Sequence, residues 1–126
     1  MLLTALVVLW LAWVIFFNTS KNGSLVGHNH TDRPLGRYFV GGNYGGNGGT
    51  TCCWSFKGKS IEVVWILSVT EEQSREGIKE ERHSVEVLMP EYRREDQYLH
   101  VHFLPDNQIE LAWSPGMQSP LSEQLI

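Results

Sequence analysis

Apolar and polar residues alternate with a period of two through the C-terminal half of the chain, the spacing that turns one face of an extended strand inward. In residues 61–70, IEVVWILSVT, Ile61, Val63, Trp65, Leu67 and Val69 share one face while Val64 and Ile66 take the other, which predicts a central strand covered on both sides. Residues 83–89 place Val85, Val87 and Met89 on one side before Pro90 stops the run. Residues 98–104 repeat the pattern with Leu99, Val101 and Phe103, and Pro105-Asp106-Asn107 then turns the chain into 108–113, where Ile109, Leu111 and Trp113 alternate. These last two segments read as a hairpin. Shorter strands are predicted near 25–29 and 37–41, and the charged run 70–82, TEEQSREGIKEER, reads as a solvated loop or a frayed helical turn. Five to six strands with almost no helix predict an all-β fold, a small antiparallel β-sandwich or a partly open barrel.

The first 17 residues break this pattern. MLLTALVVLWLAWVIFF carries no charge, and a helix of that length covers about 25 Å, close to the roughly 30 Å hydrocarbon core of a bilayer. No Ala-x-Ala cleavage site follows Phe17, so the run reads as one N-terminal transmembrane helix, a retained signal anchor. The expected layout is an anchor over 1–18, a linker over 19–25, a β domain over 26–114 and a flexible C-terminal tail over 115–126. The basic residues Lys21, Arg33 and Arg37 follow the run and none precedes it, which taken alone places the domain on the cytoplasmic side.

The net charge of −4 includes no basic stripe, which argues against a nucleic-acid partner. In the glycine-rich stretch 41–49, GGNYGGNGG, the backbone is free to turn sharply or approach a neighbour closely. No Walker Lys-Ser/Thr follows it, so a turn or mobile loop is expected rather than a phosphate cradle. Cys52 and Cys53 are adjacent: either a vicinal disulfide or two thiols on opposite faces of a strand, depending on the redox compartment.

His28-Asn29-His30 and His100-Val101-His102 are both His-x-His, which places two imidazoles on one side of a strand. Together His28, His30, His100 and His102 could supply a four-nitrogen metal site. The plainer reading makes His100 and His102 the solvent-facing side of an edge strand, opposite Leu99, Val101 and Phe103. No Gly-x-Ser-x-Gly elbow and no carboxylate pair is present, so neither catalysis nor a cofactor is indicated.

The segments Val26-Gly27-His28-Asn29-His30-Thr31-Asp32, Phe39 to Asn47, Gly48-Gly49-Thr50-Thr51-Cys52-Cys53 and Leu99 to Asp106 resemble, in the same order, a Gram-negative bacterial family of unknown function. The resemblance covers roughly residues 26–113. It implies an envelope protein, held here by residues 1–17 in the inner membrane with its domain in the periplasm. Some members act as immunity proteins of type VI secretion phospholipase effectors, which implies a phospholipase-type toxin as partner. The chain departs from the family after Cys53, where Trp54 to Ser60 replace a longer Pro-containing loop, and no Cys follows the apolar run to carry a lipid. The expected function is a non-enzymatic protein-binding module that uses Tyr38, Asn43, Tyr44 and Trp54, since aromatic anchors dominate interfaces. A metal-binding or structural envelope protein built on the paired histidines is the alternative.

Overall fold

The computed structural model describes residues 4–10 and 21–121. Eight strands follow one another: β1 (Lys21–Asn29), β2 (Leu35–Val40), β3 (Asn43–Gly46), β4 (Thr50–Phe56), β5 (Ser60–Leu67), β6 (Glu81–Leu88), β7 (Tyr98–Leu104) and β8 (Gln108–Ser114). They form two four-stranded sheets, ordered β4-β1-β7-β8 and β3-β2-β5-β6, which pack face to face without closing into a barrel. The sandwich reading therefore holds and the barrel reading does not.

Alternation on β5 places Ile61, Val63, Trp65 and Leu67 in the core, and Val64 and Ile66 are buried on its other face. β5 lies between β2 and β6, so on the outer face Val64 and Ile66 are flanked by Phe39 and Arg37 on one side and by Ser84 and Arg82 on the other, while Glu62 on the same face stays exposed. β7 and β8 form the expected hairpin, with Leu99 opposite Trp113 and Val101 opposite Leu111. Asp106 and Asn107 make its turn at positive φ, a conformation that Asp and Asn tolerate better than most residues. The charged run contributes a five-residue helix, Glu71–Arg75, closed by a capping box between Thr70 and Gln73.

Several boundaries differ from expectation. β1 begins at Lys21, so residues 21–25 belong to the sheet and not to a linker. The glycine-rich stretch is no simple loop: Asn43–Gly46 is strand β3, and Thr50–Phe56, with both cysteines, is strand β4. Composition hides them, because Gly and Asn are depleted from strands. The span expected over 1–18 lies largely outside the described residues; residues 4–10 are helical and exposed, and among the described residues no helix is long and apolar enough to cross a membrane. Of the expected tail, residues 115–121 are described, and Ser119 within them is buried.

β1 pairs with β7 in parallel, from Ser24 opposite Tyr98 to Asn29 opposite Phe103, whereas every other ladder among the described residues is antiparallel. Tyr38 on β2 is fully buried between the sheets, edge-on to Phe103. Two glycines make room for its ring. A Cβ on Gly27 would come within 3.0 Å of it, and a Cβ on Gly45 would overlap it outright. Gly45→Ala is expected to destabilise the fold by about 2 kcal/mol or more through overpacking against a ring that cannot retreat. Gly49→Ala, at a position with open space and no positive φ, is expected to stay within about 0.5 kcal/mol of the native value. Urea unfolding midpoints of the two variants make the comparison.

Candidate functional site

The parallel pairing places Val26 opposite His100 and His28 opposite His102. With alternating side chains this puts His28 of β1 and His30, the residue just after it, beside His100 and His102 of β7, on the face of the sheet away from the core. His28 Nε2 lies 2.9 Å from His100 Nδ1, and His30 Nε2 lies 2.8 Å from His102 Nδ1. The rings form a ladder in which His28 stacks on His102 at 4.4 Å between centroids and His102 faces His30 at 5.1 Å. The residues between and after the imidazoles hold it in place. Asn29 Oδ1 accepts from the Thr31 N–H and hydroxyl, Asn29 Nδ2 donates to Arg33 O, and His30 N donates to Phe103 O. The Asn-His-Thr motif is thus a turn that fixes the end of β1.

His100 and His102 are fully buried, which corrects the solvent-facing reading. β7 is an interior strand, and the segment after β8 runs back across its outer face. His100 Nε2 is 2.7 Å from Ser114 Oγ and 3.2 Å from Gly116 O, and His102 Nε2 is 2.7 Å from Ser119 Oγ. Ser114 donates its hydroxyl proton to Gly116 O. A carbonyl only accepts, so His100 carries its proton on Nε2 and its Nδ1 accepts from His28 Nε2–H. Ser119 Oγ also accepts Leu121 N–H. Ser114 and Ser119 were missed from sequence because their segment, with Pro115, Gly116 and Pro120, has no periodicity to place it. Both serines also line a surface cleft of about 720 Å³ together with Arg93, Asp96 and Trp113.

The metal reading brings the right residues together in a different geometry. Two nitrogens sharing one zinc in a tetrahedral site stand roughly 3.3 Å apart, given Zn–N bonds of about 2.0–2.1 Å. Here the paired nitrogens are at hydrogen-bond distance and point at each other. Among the described residues no group of three or more His, Cys, Asp or Glu is placed to hold a metal ion.

The expected contact residues separate. Tyr38 lies in the core, where burial pushes its hydroxyl pKa up and leaves that hydroxyl without a partner among the described residues, so it is not a surface anchor. Tyr44 is 49 % exposed. Asn43 Nδ2 donates to Ser55 O, Trp54 Nε1 donates to Thr51 Oγ1, and Thr51 Oγ1 donates to Tyr44 O. The bonds from Asn43 and Thr51 stitch β3 to β4 at one side of the sandwich, and the bond from Trp54 lies within β4. Trp54 packs partly against the core, while Cys52 and Cys53 are exposed and joined in a disulfide.

Burial holds His28, His100 and His102 below the ordinary imidazole range, and the charges that neighbouring rings would carry act in the same direction on each. His102, facing His28, His30 and His100, is pushed down to about 4 from 6.5. The native state therefore binds fewer protons than the unfolded chain between these values. The stability these rings contribute is full above pH about 6.5 and is lost as the pH falls through that value toward 4. The melting temperature followed by circular dichroism is expected to be level above pH 7 and to start falling near pH 6.5, well above the range where carboxylates titrate. A midpoint that stays constant from pH 7 to 5 would contradict the lowered pKa of His28, His100 and His102.

Sequence comparison matches no curated protein and no solved structure. A model of a family described as protein of unknown function (DUF3304) matches residues 28–111, from the first imidazole of the ladder into the last strand and over more than half of the chain. The chain belongs to the DUF3304 family.

Proposed function

We propose that the protein is a non-enzymatic binding module, anchored in the bacterial inner membrane by its first 17 residues, that holds a protein partner in the periplasm. The partner class we propose is a phospholipase-type toxin of a type VI secretion system, with this chain as its immunity protein. The observation that carries the contact reading is the corner formed by β3 and β4. There Tyr44 projects half-exposed from a glycine-rich edge beside the exposed Cys52–Cys53 pair, on a backbone fixed by the bonds from Asn43, Thr51 and Trp54. A large aromatic held on a rigid edge loses little entropy on binding, which is what an interface anchor requires.

Two observations support the non-enzymatic part. His100 carries its proton on Nε2 toward Ser114, so it cannot take one from that hydroxyl. The second serine, Ser119, is buried and is spent on the hydrogen bonds that hold the C-terminal segment. The alternative, a metal-binding or structural envelope protein, draws on the gathering of His28, His30, His100 and His102. Metal analysis of untagged protein separates it: a stoichiometric ion that disappears in His100→Ala and His102→Ala would favour the metal protein.

Co-expression with a phospholipase-type effector of a type VI secretion system tests the main reading. Cells carrying the native chain are expected to survive, and Tyr44→Ala is expected to weaken the complex about 30-fold, the loss of about 2 kcal/mol typical of an anchor. Equal killing with and without the native chain would reject the immunity function. Unchanged affinity in Tyr44→Ala would reject only the placement of the contact face.

A further inference from the structure

Strand β6 is an edge strand, with β5 as its only strand partner among the described residues. Its ladder to β5 runs unbroken over eight pairs, from Ser60 opposite Leu88 to Leu67 opposite Glu81, while the β1–β4, β2–β3 and β2–β5 ladders each contain a register shift. β6 contains no Pro and no bulge, and of the usual devices that blunt an edge it has only charge, at Glu81, Arg82 and Glu86. It also leaves apolar surface uncovered, with Val85 39 % and Leu88 78 % exposed. A row of unpaired backbone groups next to exposed apolar side chains is a template for another strand.

The charges on β6 say which strand. Arg82, Ser84 and Glu86 share the outer face, and all three are exposed. If β6 meets itself antiparallel about a two-fold axis at Ser84, Arg82 of each copy stands opposite Glu86 of the other. The neighbouring registers lack this match. An axis at Arg82 or at Glu86 opposes like charges, an axis at His83 sets Glu80 against Glu86, and an axis at Val85 leaves Arg82 opposite Leu88. Within one chain Glu86 stands opposite Glu62 of β5, a like-charge cross-strand pair that an incoming guanidinium would relieve. A two-fold interface must be self-complementary, and β6 is so in this one register.

We propose that the protein forms a homodimer through antiparallel pairing of β6 with β6 of a second copy, centred on Ser84, which joins the two β3-β2-β5-β6 sheets into one. This interface is on the opposite side of the sandwich from the β3–β4 corner and does not depend on the immunity reading.

Cysteine cross-linking of the full chain in membranes or in detergent tests the pairing. Directly opposed residues in an antiparallel pair have Cα atoms about 4.5–5.5 Å apart, within disulfide range, so Ser84→Cys is expected to give a covalent dimer on a non-reducing gel. Lys57→Cys, exposed beyond the end of β4, is expected to give none. Arg82→Glu in the Ser84→Cys background should lower the yield several-fold, and adding Glu86→Arg should restore it. The native chain, measured by native mass spectrometry, should have the mass of two chains. A monomeric mass, absence of the Ser84→Cys dimer, or failure of the charge swap to restore cross-linking would each overturn the proposal.

Discussion

Parallel pairing of β1 with β7 brings together residues some 70 positions apart, and the first sheet exists only because of it. On one side of that ladder stands the antiparallel pair β4–β1, and on the other the pair β7–β8. An isolated two-stranded ribbon is marginal in water, so neither half has reason to persist without the other. Closing so long a loop costs entropy that must be recovered by what the ladder brings into contact. On the inner face it sets Leu25 beside Leu99 and Gly27 beside Val101, all buried. On the outer face it makes the two imidazole pairs, whose buried nitrogens are satisfied by each other and by Ser114, Gly116 and Ser119.

The same junction explains why a segment with no regular structure is ordered. Buried imidazoles need hydrogen-bond partners on both nitrogens or a neutral ring loses its solvation without return. His28 of β1 and His30 just after it supply partners for Nδ1 of His100 and His102, and the end of β8 and the residues after it supply those for Nε2. The C-terminal segment is thereby held over β7, and its cover is what makes the rings buried. Inside the sandwich, Tyr38 plays a comparable part: Gly27 of β1 and Gly45 of β3 both give way to its ring, so one side chain fixes how closely the two sheets approach.

Period-two alternation revealed β5, β6, β7 and β8 in the sequence, because each has one face against the core and long enough runs to show it. Val64 and Ile66 even disclosed that β5 is covered on both sides. β3 and β4 were not legible, since Gly45 is a strand residue for the sake of Tyr38 and not for any strand preference of its own. The parallel pairing was not legible either. Nothing in a strand's own residues names its neighbour, and a hairpin-rich chain suggests antiparallel order throughout. That gap carried over to the site: the histidine spacing offered four rings as metal ligands, whereas the structure pairs them with each other and buries two of them beneath Ser114 and Ser119. Tyr38 was misjudged for the reverse reason, because an aromatic beside a glycine-rich stretch resembles a surface anchor until the opposite sheet is in place.

Native-state hydrogen exchange at neutral pH, resolved by peptide or residue, addresses the β1–β7 junction most directly. Amides in Ser24–Asn29 and Tyr98–Leu104 should share the slowest exchange of the first sheet and open together, with the free energy of global unfolding. If β1 and β4 instead open as a unit at much lower free energy while β7 and β8 stay protected, the parallel ladder is not what holds the molecule together.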